Sequence, residues 1–231
     1  MLIALAIFAF LLGSIPFGVV ICRAKGVDIF AVGSGNIGAT NVVRAVGPFL
    51  GFVVFFLDVA KGIIPGLLAH AVVSDFPFGI HGQTWSFILG CVAIVGHMFS
   101  PWIKFKGGKG IATGLGAMLS SIPLTGLLAL AVMIPVTAAS RYVSLGSIVA
   151  AISTIPLSIF VSKDSPQVIP ILIIFNIVVI VKHRANISRI LNGTESKFRF
   201  KKNDDPAEKR DEQLSDEVVN DEERNGDNYR P

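Results

Sequence analysis

Cysteine is nearly missing from this chain of 231 residues. Its two copies, Cys22 and Cys91, lie in or at the end of apolar runs, which excludes a disulfide framework and a zinc site and leaves both as packing residues. Charge is scarce too: 16% of residues are charged, 52% are hydrophobic, and the mean hydropathy is +0.67. Such a chain is not an ordinary soluble domain, because several stretches approach the ~20 apolar residues that cross a bilayer as helix. The first run, residues 1–22, lacks a basic leading segment and a small-residue cleavage site, so it reads as a retained helix rather than a secretion signal. No internal repeat of useful length occurs, which weakens any inverted-repeat transporter.

What charge there is falls in two opposed parts. Up to Ser196 there are twelve Lys/Arg against five Asp/Glu, and from Lys197 onward eight against eleven. The basic excess therefore belongs to the apolar part, where it sets topology or holds an anion; nucleic acid is not an expected partner. The tail is charged and almost free of aromatics, a composition that cannot bury enough apolar surface to order itself. The expected organisation is a membrane-embedded domain over 1–198 and a disordered cytoplasmic tail over 199–231.

After the first run, apolar stretches follow at about 48–73, 84–99, 111–139, 142–161 and 168–181. Taking 111–139 as one helix gives six crossings and strands Lys182, Arg184 and Arg189 outside. Folding it at Ser120-Ser121-Ile122-Pro123 gives seven and collects every basic cluster, with Arg141, on the cytoplasmic side, as the positive-inside rule favours. Because 111–139 is too short for two full crossings, its first arm should be short or re-entrant and lie against protein. The expected fold is thus an all-α integral membrane protein, a compact bundle of seven transmembrane helices, some short or re-entrant, with the N-terminus outside and the C-terminus cytoplasmic. Arg23 and Lys25, directly after the first run, set that orientation.

Three polar clusters stand at the ends of these runs: residues 33–44 (GSGNIGATNVVR), 104–110 (KFKGGKG) and 183–195 (HRANISRILNGTE). In the first, glycines such as Gly35 let backbone N–H groups converge on an anion, while Ser34, Asn36, Thr40 and Asn41 add hydrogen bonds and Arg44 a phosphate-matching fork. The same residues could simply cap a short helix. In the second, Lys104, Lys106 and Lys109 surround a turn of Gly107, Gly108 and Gly110 ahead of a helix N-terminus, a setting that favours phosphate; the bland alternative is a positive-inside anchor. In the third, His183, Asn186 and Arg189 share a helical face, and Glu195 can neutralise one of the basic residues. Asp58 and Lys61, at i and i+3 inside the second run, read as an internal ion pair. Together the clusters point to an anion-handling membrane enzyme.

These three segments, in this order and spacing, with Phe56-Leu57-Asp58-Val59-Ala60-Lys61-Gly62 in the second run, resemble the bacterial acyl-phosphate:glycerol-3-phosphate acyltransferase family, the PlsY type. The resemblance covers residues 1 to about 198. It implies a seven-helix enzyme of the bacterial cytoplasmic membrane, its active site facing the cytoplasm. That enzyme would acylate the 1-hydroxyl of sn-glycerol 3-phosphate with a fatty acyl phosphate, yielding lysophosphatidic acid and inorganic phosphate for phospholipid synthesis.

By resemblance Ser34, Arg44, His183 and Asn186 are catalytic and the loop 107–110 binds glycerol 3-phosphate. From the residues themselves Gly35, Asn36, Thr40, Asn41, Lys104, Lys106, Ser144 and Arg189 are expected as further substrate contacts, and the resemblance makes Glu195 structural. No metal or other cofactor is expected, since the donor is already activated. The expected partners are the two substrates, membrane lipid and an enzyme that makes acyl phosphate; the protein should be a monomer. A transporter of a phosphorylated metabolite, or an anionic-lipid binding protein without catalysis, is the competing reading.

Overall fold

Proline and glycine decide where the helices of this protein start and stop. The computed structural model describes residues 1–73, 77–161 and 166–198. The tail expected to be disordered, 199–231, lies outside the described residues. Met1–Lys197 pack as one unit, and the described elements are helical throughout.

Helix α1, Leu2–Ser14, breaks before α2, Phe17–Ala24, because Pro16 has no N–H to continue the ladder. The break bares two carbonyls that the bilayer would leave unsatisfied. Ser100 Oγ donates to Ser14 O at 2.6 Å and Lys61 Nζ to Ile15 O at 2.7 Å. Short α3, Ala39–Val46, turns at Gly47 (φ +96°) into α4, Pro48–Val72, with proline in its favoured place in the first helical turn. At 25 residues, α4 is about 37 Å long, ample for a bilayer. Helix α5, Gly82–Met98, leads through a 3-10 turn, Pro101–Ile103, into the glycine loop.

The stretch 111–139 does divide where Pro123 stands, into α6, Ile111–Ser121, and α7, Pro123–Ser140. With 11 residues, α6 spans about 16 Å, roughly half the apolar thickness of a bilayer. It lies instead against protein. A Cβ on Gly62 would strike the Thr113 carbonyl, one on Gly116 the Val59 carbonyl, and one on Gly90 would lie 3.0 Å from Ala117 Cα. Close approach through small residues is how membrane helices pack without a hydrophobic force between them.

Helix α8, Val143–Val161, is followed by α9, Val168–Lys182, and short α10, Arg184–Leu191. Among the described residues, five helical stretches are long and apolar enough to cross, or six if α9 and α10, bent by 55°, count as one. Seven crossings are therefore not reached by length, since α6 is short and α9 alone has 15 residues.

Two apolar cores result among the described residues. The larger joins Phe87, Met98, Met118, Leu172, Phe175 and Val179; the smaller, under the first polar cluster, joins Val19, Ile29, Ile37, Val42, Val54 and Ile103. Phe49, Phe52 and Phe56 of α4 stay exposed, which suits a lipid-facing surface.

Candidate functional site

The first cluster is organised from within. Gly33 (φ +54°) and Gly35 (φ +63°) take left-handed conformations, which reverse the chain over α3. Asn41 of α3 fastens that reversal: its Oδ1 accepts from the Ser34 N–H at 3.1 Å, and its Nδ2 donates to the carbonyls of Ile29 (3.2 Å) and Val32 (3.0 Å). Asn36 Oδ1 accepts from the Gly38 N–H at 2.9 Å. Both asparagines, expected as substrate contacts, are thus engaged with the loop itself, the buried Asn41 through both of its amide atoms and Asn36 through its oxygen. The same bonds leave Ser34 exposed at the loop tip, with Thr40 half-buried in the first turn of α3 and Arg44 one turn further on.

The second cluster packs on the end of α5. Lys104 and Phe105 both have positive φ, 53° and 61°, a strained reversal for residues with side chains. Beyond it the Gly108 N–H donates to His97 O at 3.1 Å. A Cβ on Gly107 would collide with that same carbonyl, and one on Gly108 with the His97 ring. These glycines are required by close packing, and Gly110 (φ +78°) then caps α6. Lys104 and Lys106 are exposed, and neither hydrogen-bonds to the other clusters among the described residues. Lys109 differs. It lies close enough to Glu195, Arg189 and Arg44 to feel their charges, and burial is the main cause that pushes its ammonium down to about 8, helped by the two arginines against the pull of Glu195.

In the third cluster the chain doubles back. Gly193 (φ +69°) turns it after α10, and the N–H groups of Thr194 (2.8 Å) and Glu195 (3.1 Å) both donate to Arg189 O. The Glu195 carboxylate is then gripped from three sides: Ser144 Oγ at 2.7 Å and Asn186 Nδ2 at 2.6 Å on Oε1, and Arg189 Nε at 2.7 Å on Oε2. Burial pushes this carboxyl up, but the three donors and the Arg189 charge outweigh it and hold it below its ordinary value. Ser144 and Arg189, expected at substrate, and Asn186, expected in catalysis, are thereby engaged by Glu195. His183 is buried at the α9–α10 junction with Nδ1 2.8 Å from Val179 O.

One contact closes the arrangement: Arg44 Nη2 donates to Ser196 O at 3.2 Å. Residues 152 apart in sequence thus bring the first cluster to the third, while Lys109 brings the second. Arg44, Lys109 and Arg189 supply three cations against the single carboxylate of Glu195, a surplus suited to anionic ligands. Burial lowers the Arg44 guanidinium first, and Arg189 adds to this against the pull of Glu195, but a guanidinium remains charged throughout.

Two tethers were not legible in the sequence. Lys182 Nζ donates to Met98 O at 3.1 Å and sits 4.2 Å from the centre of the Phe99 ring, fastening α9 to the end of α5. His97 Nδ1 is 3.2 Å from Lys61 Nζ. The expected Asp58–Lys61 pair is present at 2.8 Å.

A family model described as glycerol-3-phosphate acyltransferase matches residues 3–193. A glycerol-3-phosphate acyltransferase of Trichlorobacter lovleyi is 47% identical over 191 residues, 83% of this chain and 94% of that protein. Another, of Aquifex aeolicus, is 46% identical over 194 residues, 84% of this chain and 97% of that protein. Among solved structures, PlsY, an integral membrane glycerol 3-phosphate acyltransferase, in its glycerol 3-phosphate form matches with a TM-score of 0.78 at 43% identity, over 86% of this chain and 96% of that one. Its lysophosphatidic acid form matches with a TM-score of 0.75 at 42% identity, over 86% and 95%.

Proposed function

The chain belongs to the glycerol-3-phosphate acyltransferase family, PlsY type, and from that premise we propose that it transfers a fatty acyl group from acyl phosphate to the 1-hydroxyl of sn-glycerol 3-phosphate. Lysophosphatidic acid and inorganic phosphate are the products. The observation that carries the reading is the convergence of Arg44, Lys109 and the Glu195 knot at one end of the bundle. A relative crystallised with glycerol 3-phosphate supports the acceptor.

In this mechanism Arg44 and the exposed Ser34 hold the donor phosphate, and Lys109 with the glycine loop holds the acceptor phosphate. The cations offset the repulsion between the two anions, and their alignment supplies much of the rate. The glycerol oxygen attacks the acyl carbon, the carbon–oxygen bond to phosphate breaks with its electron pair on the leaving phosphate, and the hydroxyl proton ends on a phosphate oxygen. No covalent enzyme intermediate is needed because the mixed anhydride is already activated. Consistently, no G-x-S-x-G elbow occurs. The H-x-x-x-x-D spacing of CoA- and carrier-protein-dependent acyltransferases occurs at His70 and Asp75. His70, however, is in the last turn of α4, a helix length from Arg44, and Asp75 lies outside the described residues.

His183 orients the acceptor and does not act as an obligatory base. Burial first, and the Lys109 charge next, push its imidazole down to about 4, which makes the ring a weak proton acceptor, while Nδ1 facing the Val179 carbonyl fixes its orientation. His183→Gln should therefore keep turnover within about tenfold of the parent, whereas an obligatory general base would be worth up to ~10⁴-fold. Saturating kcat of the two proteins decides between them.

The lowered Lys109 ammonium predicts a pH dependence. Its charge is lost as pH rises through about 8, while a phosphate monoester with its second pKa near ~6 is already dianionic there. kcat/KM for glycerol 3-phosphate should fall above that value, approaching tenfold per pH unit, and Lys109→Arg should carry the plateau to higher pH. An unchanged alkaline limb in Lys109→Arg would remove Lys109 from acceptor binding.

The membrane arrangement proposed has seven helical segments with α6 as a half-crossing, the N-terminus outside and the C-terminus and site on the cytoplasmic side of the bacterial inner membrane. Arg23, Lys25, Arg141 and Lys182 support that orientation. Residues 1–198 form the proposed acyltransferase domain, proposed to act as a monomer.

The first test is incubation of purified protein with glycerol 3-phosphate and either palmitoyl phosphate or palmitoyl-CoA. Phosphate release and lysophosphatidate from the first donor alone establish the donor; product from the thioester alone refutes it.

A further inference from the structure

Asp58, Lys61 and His97 have no part in the chemistry above, yet they are 3%, 1% and 4% exposed. Buried charges in a membrane helix are expensive, and a buried ion pair contributes little net stability for that expense. The reach of this trio is more informative than its burial. Lys61 Nζ lies 2.8 Å from Asp58 Oδ1, 2.7 Å from the Ile15 carbonyl freed at the proline break, and 3.2 Å from His97 Nδ1. The Phe17 ring, its centre 5.2 Å away, covers the ammonium. One lysine therefore ties the α1–α2 break, α4 and α5 together.

The histidine carries that tie onward. An ammonium only donates, so with Lys61 donating to Nδ1, the ring proton resides on Nε2, and this is the edge that faces Gly108. A Cβ on Gly108 would collide with Nε2 and lie 2.9 Å from Cε1 and 3.1 Å from Cδ2. From the other side, the Gly108 N–H donates to the His97 carbonyl at 3.1 Å. The glycine loop is thus seated on both the ring and the backbone of His97, and the next residue is Lys109.

We infer that Asp58, Lys61 and His97 form a positioning device that sets the height of the glycine loop, and so the place of Lys109, without touching substrate. The inference rests on the assignment of that loop to glycerol 3-phosphate. Asp58 neutralises and aims Lys61, Lys61 fixes the ring of His97, and the ring props the loop. Because the donor phosphate is held by Arg44 and Ser34 on a separate element, the trio acts on the acceptor alone.

The test uses the full-length protein and His97→Asn, whose side-chain oxygen keeps an acceptor for Lys61 but removes the ring edge beneath Gly108. KM for glycerol 3-phosphate should rise about tenfold, a displacement of under an ångström costing up to ~10²-fold in comparable sites. KM for palmitoyl phosphate and kcat should stay within about threefold, with the thermal midpoint near that of the parent. Gly108→Ala should raise the same KM. Adding it to the His97→Asn background should bring KM back toward the parent, since the methyl group then enters vacated space.

An unchanged KM for glycerol 3-phosphate overturns the inference. So does a parallel rise in both KM values with a fallen midpoint and no recovery in the double variant. Should His97→Asn not fold, Gly108→Ala decides alone, a selective rise supporting the prop and an unchanged KM refuting it. If the parent itself makes no product, the proposed reaction fails separately, and equilibrium binding of glycerol 3-phosphate to the same variants then judges the trio.

Discussion

Replacing Arg44 by lysine should lower kcat/KM about a hundredfold, the range seen when one charge-stabilising donor is removed from a preorganised site. The residue is partly exposed, and among the described residues its side chain makes a single hydrogen bond, to Ser196 O at 3.2 Å. The fold therefore loses little, and the thermal midpoint should barely move. What is lost is geometry: a guanidinium offers two parallel donors to a phosphate, while an ammonium is a point charge on a flexible stem. Net charge is conserved by the substitution. Only a site that depends on the fork responds, and near-parental kcat/KM would show that Arg44 acts as a point charge and not as a bidentate fork.

Glu195→Ala should be the most damaging single change to the scaffold of the site. It removes the acceptor of Ser144, Asn186 and Arg189 at once. Hydrogen bonds to a charged group contribute about 1.5–3 kcal/mol each. With the Arg189 side chain 36% exposed and its share screened by solvent, a loss of about 3 kcal/mol in total follows. Activity should fall with it, because Arg189 and Asn186 lose the group that aims them. Glu195→Gln should lie between, keeping one oxygen acceptor but turning an amide toward a guanidinium.

The pH sign is fixed by the lowered carboxyl: the stability from Glu195 is fully present above the ordinary carboxylate value and is lost as pH falls through the depressed folded value. Urea or thermal unfolding of parent and variant at neutral and acid pH checks this. A variant as stable as the parent at neutral pH would show the three hydrogen bonds to be of no consequence.

Much of this was legible in the sequence because it is local. Apolar run lengths mark α4, α7 and α8, Pro123 marks the division of 111–139, and the i, i+3 spacing of Asp58 and Lys61 marks their pair. What stayed hidden depends on contacts between distant residues. Nothing near Asn41 distinguishes an asparagine that binds a ligand from one that fastens its own loop. Ser144 meets Glu195 across 51 residues, and His97 meets Lys61 across 36, with no periodicity to announce either. The number of crossings was hard to read for a different reason: hydropathy reports apolar length, while α6 is apolar without being lipid-exposed and is enclosed by glycine contacts instead.

The order in which the chain is made gives the doubling back at Gly193 a further meaning. During synthesis the first loop and the glycine loop leave the ribosome and enter the membrane long before Glu195 exists. Until then their cations share no counterion, and Arg44 has no carbonyl of Ser196 to hold. The residues beyond the turn at Gly193 are thus the last to arrive, and the frame around the three cations is complete only with them.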